Sequence, residues 1–85
     1  MKTAATSSEI DLRGMDAIEA TIVLGRYMDE AMRSNLKMVR IIHGKGTGAL
    51  RAAVWKFLKG DKRVKNFRAG QFGEGDYGVT VVELK

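Results

Sequence analysis

Residues 37–58 read KMVRIIHGKGTGALRAAVWKFL: a β-branched run, a glycine-punctuated loop and an apolar stripe in immediate succession. The run from Lys37 to His43 is short and β-branched, which predicts a strand. Gly44, Gly46 and Gly48 break it, and Leu50, Ala53, Val54, Phe57 and Leu58 then recur at helical spacing, predicting a helix from Ala49 to Lys59. Strand, tight loop and helix together make half of a βαβ crossover. Upstream, Ile10 to Leu12 alternates apolar and polar and stops at Gly14, a first short strand. Asp16 with Glu19 has capping-box spacing, and Ala17, Ala20, Leu24, Tyr27, Met28 and Ala31 predict a helix from Ala17 to about Ser34, with Asn35 as a left-handed stop. Downstream, Val64 to Ala69 and Val79 to Leu84 read as strands, separated by the glycine-rich loop 70–78. The order is βαβαββ, an α/β chain folded as a two-layer α+β sandwich. Right-handed crossovers place both helices on one face, with strands one to three parallel and strand four antiparallel.

Finer features follow. Gly25 falls in the middle of the first helix, at a cost of about 1 kcal/mol relative to Ala, and is expected to mark a close approach to the sheet. Met15, Met28, Met32 and Met38 are expected to fill core, and Trp55 to be half-buried. Residues 1–8 are small and polar, a flexible leader before a single domain over residues 9–85.

With 85 residues the chain is one small domain, and its 45% hydrophobic content is in the globular range. The lack of Cys excludes a disulfide framework, a thiol nucleophile and Cys-ligated zinc, and a single His excludes a multi-histidine metal cluster. No apolar run approaches the roughly 20 residues of a membrane span, so no membrane partner is expected, and the cytoplasm is the expected compartment. The 15 basic and 10 acidic residues give +5, but the distribution is uneven. From Arg33 to Arg68 there are 11 basic residues and one acid, Asp61, whereas the remainder is net acidic. One face built for a polyanion is the expectation, with nucleic acid the usual partner and a merely solvated lysine-rich surface the alternative.

The topology brings the ends of strands one and two and the start of strand four to one sheet edge, where open α/β sheets bind ligands. Residues 11–15, 43–48 and 73–78 therefore converge. Gly44, Gly46, Thr47 and Gly48 form a loop whose amides can approach an anion at a helix N-terminus, with Lys45 as a mobile cation and Arg51 in the first turn; a tight strand-to-helix turn is the plainer alternative. A P-loop is excluded, because Val39 stands where its first glycine is required, and no nucleotide is expected. His43 is a candidate general base or acid for phosphodiester cleavage, or else a satisfied structural histidine. Asp11 is a candidate for positioning water, orienting His43 or holding a divalent cation, or else an exposed edge residue. Arg13 is a candidate phosphate clamp or half of a surface pair. In the last loop Glu74 and Asp76 are candidate ligands for Mg²⁺ or solubilising acids, and Tyr77 is a candidate base-stacking residue.

These residues carry a family resemblance. Ile10-Asp11-Leu12-Arg13-Gly14 resembles the LDLRG/LDLHG box of the Smr (small MutS-related) domain, the Ile41–Arg51 string is similar to its HGxG box, and Gly73 to Leu84 resembles its terminal glycine loop and strand. The Arg13 form is most similar to the C-terminal Smr domain of the second type of bacterial MutS paralogue, a much longer ATPase, so the rest of such a chain is an implied partner. The resemblance implies a fold like the C-terminal domain of translation initiation factor three, with sheet order 1-2-4-3. It also implies a nicking endonuclease acting on DNA, branched or duplex, with links to suppression of homologous recombination and to ribosome rescue, and hence ribosomal RNA as a further partner. On the family's pattern Asp11, Arg13, His43 and Gly46 fall on box positions tied to activity or binding. Taken with the reading of the residues themselves, the expected catalytic residues are His43, Asp11 and Arg13, the expected phosphate-binding set is Lys45, Gly44, Gly46, Thr47, Gly48, Arg51 and Gly75, and a Mg²⁺ or Mn²⁺ ion would fall to Asp11 and Asp76. Many RNA-cleaving relatives carry His where Arg13 stands, so a two-histidine mechanism lacks its second partner unless Lys45 or Asp11 supplies it. Metal-assisted hydrolysis, cleavage by His43 alone and binding without cleavage remain as alternatives.

Overall fold

The computed structural model describes residues 6–73 and 75–85. Its elements follow the order β1 (Glu9–Asp11), α1 (Ala17–Arg33), β2 (Met38–Ile42), α2 (Ala49–Lys59), β3 (Val64–Ala69) and β4 (Val79–Leu84), with a one-turn 3₁₀ helix at Asp76–Gly78. The sheet order is β1-β2-β4-β3, with β1 parallel to β2 and β4 antiparallel to both β2 and β3. The last strand is thus inserted between β2 and β3. It is the most enclosed strand of the sheet, and it is the one with the densest run of β-branched residues.

Helix α1 starts where its cap predicts: the Asp16 carboxylate accepts the Glu19 amide at 2.8 Å. It ends in a Schellman turn, with Leu36 N–H donating to Ala31 C=O and Asn35 N–H to Met32 C=O, while Asn35 takes the left-handed φ of 60° that Asn tolerates. Ser34 is the cap rather than the last helical residue. Ala20, Leu24, Met28 and Ala31 of α1 and Val54 and Leu58 of α2 bury into one core with Val39, Ile41, Val82 and Leu84 of the sheet. Both helices therefore lie on one sheet face, as the two crossovers require.

Three expectations are corrected. Met38 is 51% exposed, because strand alternation sends Val39 and Ile41 inward and turns Met38 and Arg40 to the face without helices. Gly25 approaches α2 rather than the sheet: a Cβ there would lie 3.9 Å from the Phe57 ring. That is ordinary van der Waals contact, so Gly25→Ala should raise stability by about 0.5–1 kcal/mol through helix propensity, read as a higher urea midpoint at unchanged m. Finally, the segment before β1 is fastened from Thr6 onward. Ser7 C=O accepts from the Tyr27 hydroxyl at 2.5 Å, Ser8 C=O from Arg40 N–H at 2.8 Å, and the Thr6 and Ser34 hydroxyls lie 2.8 Å apart. Burial, helped by the nearby Glu9 charge, pushes the Tyr27 phenol up to about 12. Residues 1–5 of the expected leader lie outside the described residues.

Candidate nucleic-acid interface

The three segments do meet at one edge of the sheet. His43 N–H and Gly44 N–H both donate to Gly78 C=O, at 3.1 and 2.9 Å, which ties the β2–α2 loop to the loop before β4. Leu12 N–H donates to Ile42 C=O at 2.8 Å and seats the β1 end beside them. Gly44 has φ of 80°, and a Cβ on it would come within 3.3 Å of the Arg13 side chain, so glycine is what allows Arg13 to lie across the loop. A hollow of about 360 Å³ results, lined by Arg13, Ile42, Gly44, Lys45, Gly75, Gly78 and Val79. On the other flank of the loop a second hollow, of about 280 Å³, is lined by Met15, Asp16, Ala17 and every residue from His43 to Arg51. The loop 44–48 is the ridge between them. Gly46 and Gly48 also have positive φ, and Thr47 Oγ1 accepts the Ala49 amide at 3.3 Å at the start of α2.

Arg13 and Asp11 form a fork-to-fork pair. Nε donates to Oδ1 at 3.0 Å, Nη2 donates to Oδ2 at 2.7 Å, and the Arg13 backbone N–H adds a third bond to Oδ1. These bonds hold the Asp11 carboxyl down at about 2 and push the guanidinium up. Asp11 is therefore a permanent acceptor that orients Arg13, leaving the Nη1 edge of the guanidinium turned away from the pair. The divalent-cation reading fits poorly. Both Asp11 oxygens are taken, and among the described residues no three His, Cys, Asp or Glu side chains gather as a donor set. Asp76 lies on the 3₁₀ turn with φ of 53° and lines neither hollow, and Glu74 lies outside the described residues.

His43 is 4% exposed, and both ring nitrogens are engaged. Nδ1 lies 3.0 Å from Gly44 C=O and Nε2 lies 2.8 Å from Thr80 Oγ1. Burial drives its pKa below the usual 6.5, opposed by the Gly44 carbonyl and reinforced by the Arg51 charge. The satisfied structural histidine is thus the state this geometry provides. A linkage consequence follows. The unfolded imidazole takes up a proton near pH 6.5 while the folded one resists, so stability is full above that value and is lost as pH falls from 6.5 towards the lower folded pKa. Urea midpoints of wild type should fall across that window, and those of His43→Gln should lack this component. Asp61, lowered by its bonds to Arg63, contributes only in the more acidic carboxylate range.

The basic tract is partly neutralised. Arg33, Arg40, Arg63 and Lys65 pair with Asp29, Glu9, Asp61 and Glu83. Lys45 stands exposed in the loop, and Arg51, Lys56 and Lys59 share a hollow on α2, extending the cationic surface from the loop along the helix. Tyr77 and Phe72 project from the last loop, Phe72 at 96% exposure. Two residues of consequence escaped the sequence reading: Thr80 and Gly78. Thr80 was legible as the one polar side chain among the alternate, inward positions of β4, with Val82 and Leu84.

Fold and edge together define a class: a two-layer α+β domain presenting a glycine loop and guanidinium groups suited to phosphate. The family model for the Smr domain matches residues 10–85, and the chain belongs to the Smr domain family. It is 53% identical over its full length to Endonuclease MutS2 of Clostridium kluyveri and 54% identical over 84 residues to Endonuclease MutS2 of Acetivibrio thermocellus, spanning 11% of the length of each. The crystal structure of the Smr domain of Thermus thermophilus MutS2 superposes with a TM-score of 0.89 at 47% identity, covering 91% of this chain and 96% of that one. YdaL, a stand-alone small MutS-related protein from Escherichia coli, shares the fold at 23% identity with a TM-score of 0.87 over 92% of this chain and 64% of its own. Among the described residues no helix is long and apolar enough to cross a membrane.

Proposed function

We propose that the domain grips a nucleic-acid phosphodiester with Arg13, Lys45, Arg51 and the amides of residues 45–48, and that within a MutS2-type endonuclease it nicks DNA there. The observation that carries this reading is the Asp11–Arg13 pair laid across Gly44 beside Lys45. A carboxylate that fixes one edge of a guanidinium leaves the other edge oriented for a phosphate, where it would stabilise the extra charge of a pentacoordinate transition state. Left-handed glycines alternating with L-residues supply the backbone curvature used in anion-binding concavities. Branched DNA and ribosomal RNA belong to the same proposal, since each presents a phosphate backbone, and a role in restraining recombination would rest on the branched DNA. The remainder of a MutS2-like ATPase chain would be the covalent partner.

A second reading has its own support. His43 offers no free ring nitrogen, and among the described residues the acids do not assemble as metal donors, which favours a module that binds without cutting. Supercoiled-plasmid nicking by wild type and Arg13→Ala, each with and without EDTA, separates the two. Nicking by wild type that falls in Arg13→Ala supports the nuclease; equal background from both proteins, with duplex binding retained, leaves the binding module. EDTA-insensitive nicking would exclude the divalent cation.

A further inference from the structure

We infer that Thr80 and Trp55 are positioning residues: with His43 they form a buried hydrogen-bond chain that sets the glycine loop at one end and Arg51 at the other. The inference rests on the phosphate-gripping reading above. Donor and acceptor chemistry fixes every proton in the chain. The Trp55 indole only donates, so at 2.8 Å its Nε1–H must be given to Thr80 Oγ1. A backbone carbonyl only accepts, so the His43 Nδ1 facing Gly44 C=O must carry the hydrogen. Nε2 of the neutral ring is then an acceptor, and the Thr80 hydroxyl proton is what it receives at 2.8 Å. Thr80 is 0% exposed, so no water replaces a lost partner.

Both ends of the chain bear on the loop. Gly44, held through its carbonyl by His43, is the residue across which Arg13 lies. Trp55 is further fixed edge-to-face against Phe67, ring centroids 5.1 Å apart, and the Arg51 guanidinium stacks on the indole with Cζ 4.3 Å from the centroid. Among the described residues the buried Arg51 Nε has no hydrogen-bond partner, so the stack on the indole sets its direction. Thr80 is fully buried, while His43 and Trp55 border hollows with their ring nitrogens committed to the chain. They act through Gly44 and Arg51.

The test uses the full chain, which has one histidine and so one set of imidazole signals. Long-range nitrogen–proton NMR should show wild-type His43 as the Nδ1–H tautomer. Thr80→Val should mix the tautomers and weaken binding of a labelled DNA duplex by about tenfold or more, the scale of one lost buried partner. Thr80→Ser should restore both. Trp55→Phe keeps a ring under Arg51 but removes the donor, and should disturb the tautomer less than Thr80→Val while also weakening binding. Wild-type-like tautomer and affinity in Thr80→Val, or failure of Thr80→Ser to restore them, would overturn the inference. If wild type itself does not bind the duplex, the phosphate-gripping reading fails and takes the positioning role with it, whatever the tautomer.

Discussion

Arg13→Ala/Lys45→Ala should bind duplex DNA on the order of a hundredfold more weakly at low salt, and its affinity should depend less on salt. Both side chains line the hollow closed by Gly44 and Gly78, and neither is needed by the core. Each is proposed to neutralise one phosphate. Releasing two fewer counterions lowers the slope of log K against log salt by about 1.8 in magnitude. Loss of the charge-assisted bonds themselves weakens binding to all sequences alike. Fluorescence anisotropy across a salt series reads slope and affinity together. A double variant with the wild-type slope would remove this edge from the interface. Lys56 and Lys59 on α2 would then be the place to look, since they extend the same charged surface.

Gly75→Ala should destabilise the domain by about 2–5 kcal/mol. A Cβ at Gly75 would sit 2.3 Å from Val79 Cγ2 and 3.0 Å from Val79 Cβ, and φ is +102°. Left-handed backbone costs an L-residue about 1–2 kcal/mol, and forcing a methyl against a packed side chain costs about 1–3 kcal/mol more. Val79 opens β4, is itself buried and pairs with Ile42 at the site edge, so it cannot yield without disturbing the strand. Gly73→Ala is the control: its φ is +91° but a Cβ there meets nothing within 4 Å, so only the backbone cost applies. Urea unfolding of the two variants measures the difference. A Gly75→Ala protein no less stable than Gly73→Ala would show that the loop seats differently against β4.

The sheet order illustrates how far a local pattern reaches. Periodicity in residues 37–58 predicts a strand and a helix, and the structure has them at Met38–Ile42 and Ala49–Lys59. The helix caps at Asp16 and Asn35 act through neighbours three or four residues away, so they too are legible. The insertion of β4 between β2 and β3 is not a local matter. It came into view only through likeness to a known family, because strand pairing is decided by burial of the whole sheet. Met38 shows the same limit in miniature: methionine suits a core, and only the parity of its strand turns it outward.

By itself, then, the sequence determined the elements, the left-handed turns and the convergence of three segments on one edge, because these follow from spacing, glycine stereochemistry and crossover handedness. It also determined that the edge would carry Arg13, Lys45 and His43. Only the tertiary structure decided what each touches there. His43 lies 37 residues from Thr80 in sequence, and only the fold brings the ring of that candidate base onto the Thr80 hydroxyl. Asp11 lies two residues from Arg13, yet nothing in the string says that the carboxylate closes on the guanidinium. Hydrogen-bond partners and desolvation are properties of the packed state, and they settle the protonation and reach of a side chain that the sequence can only nominate.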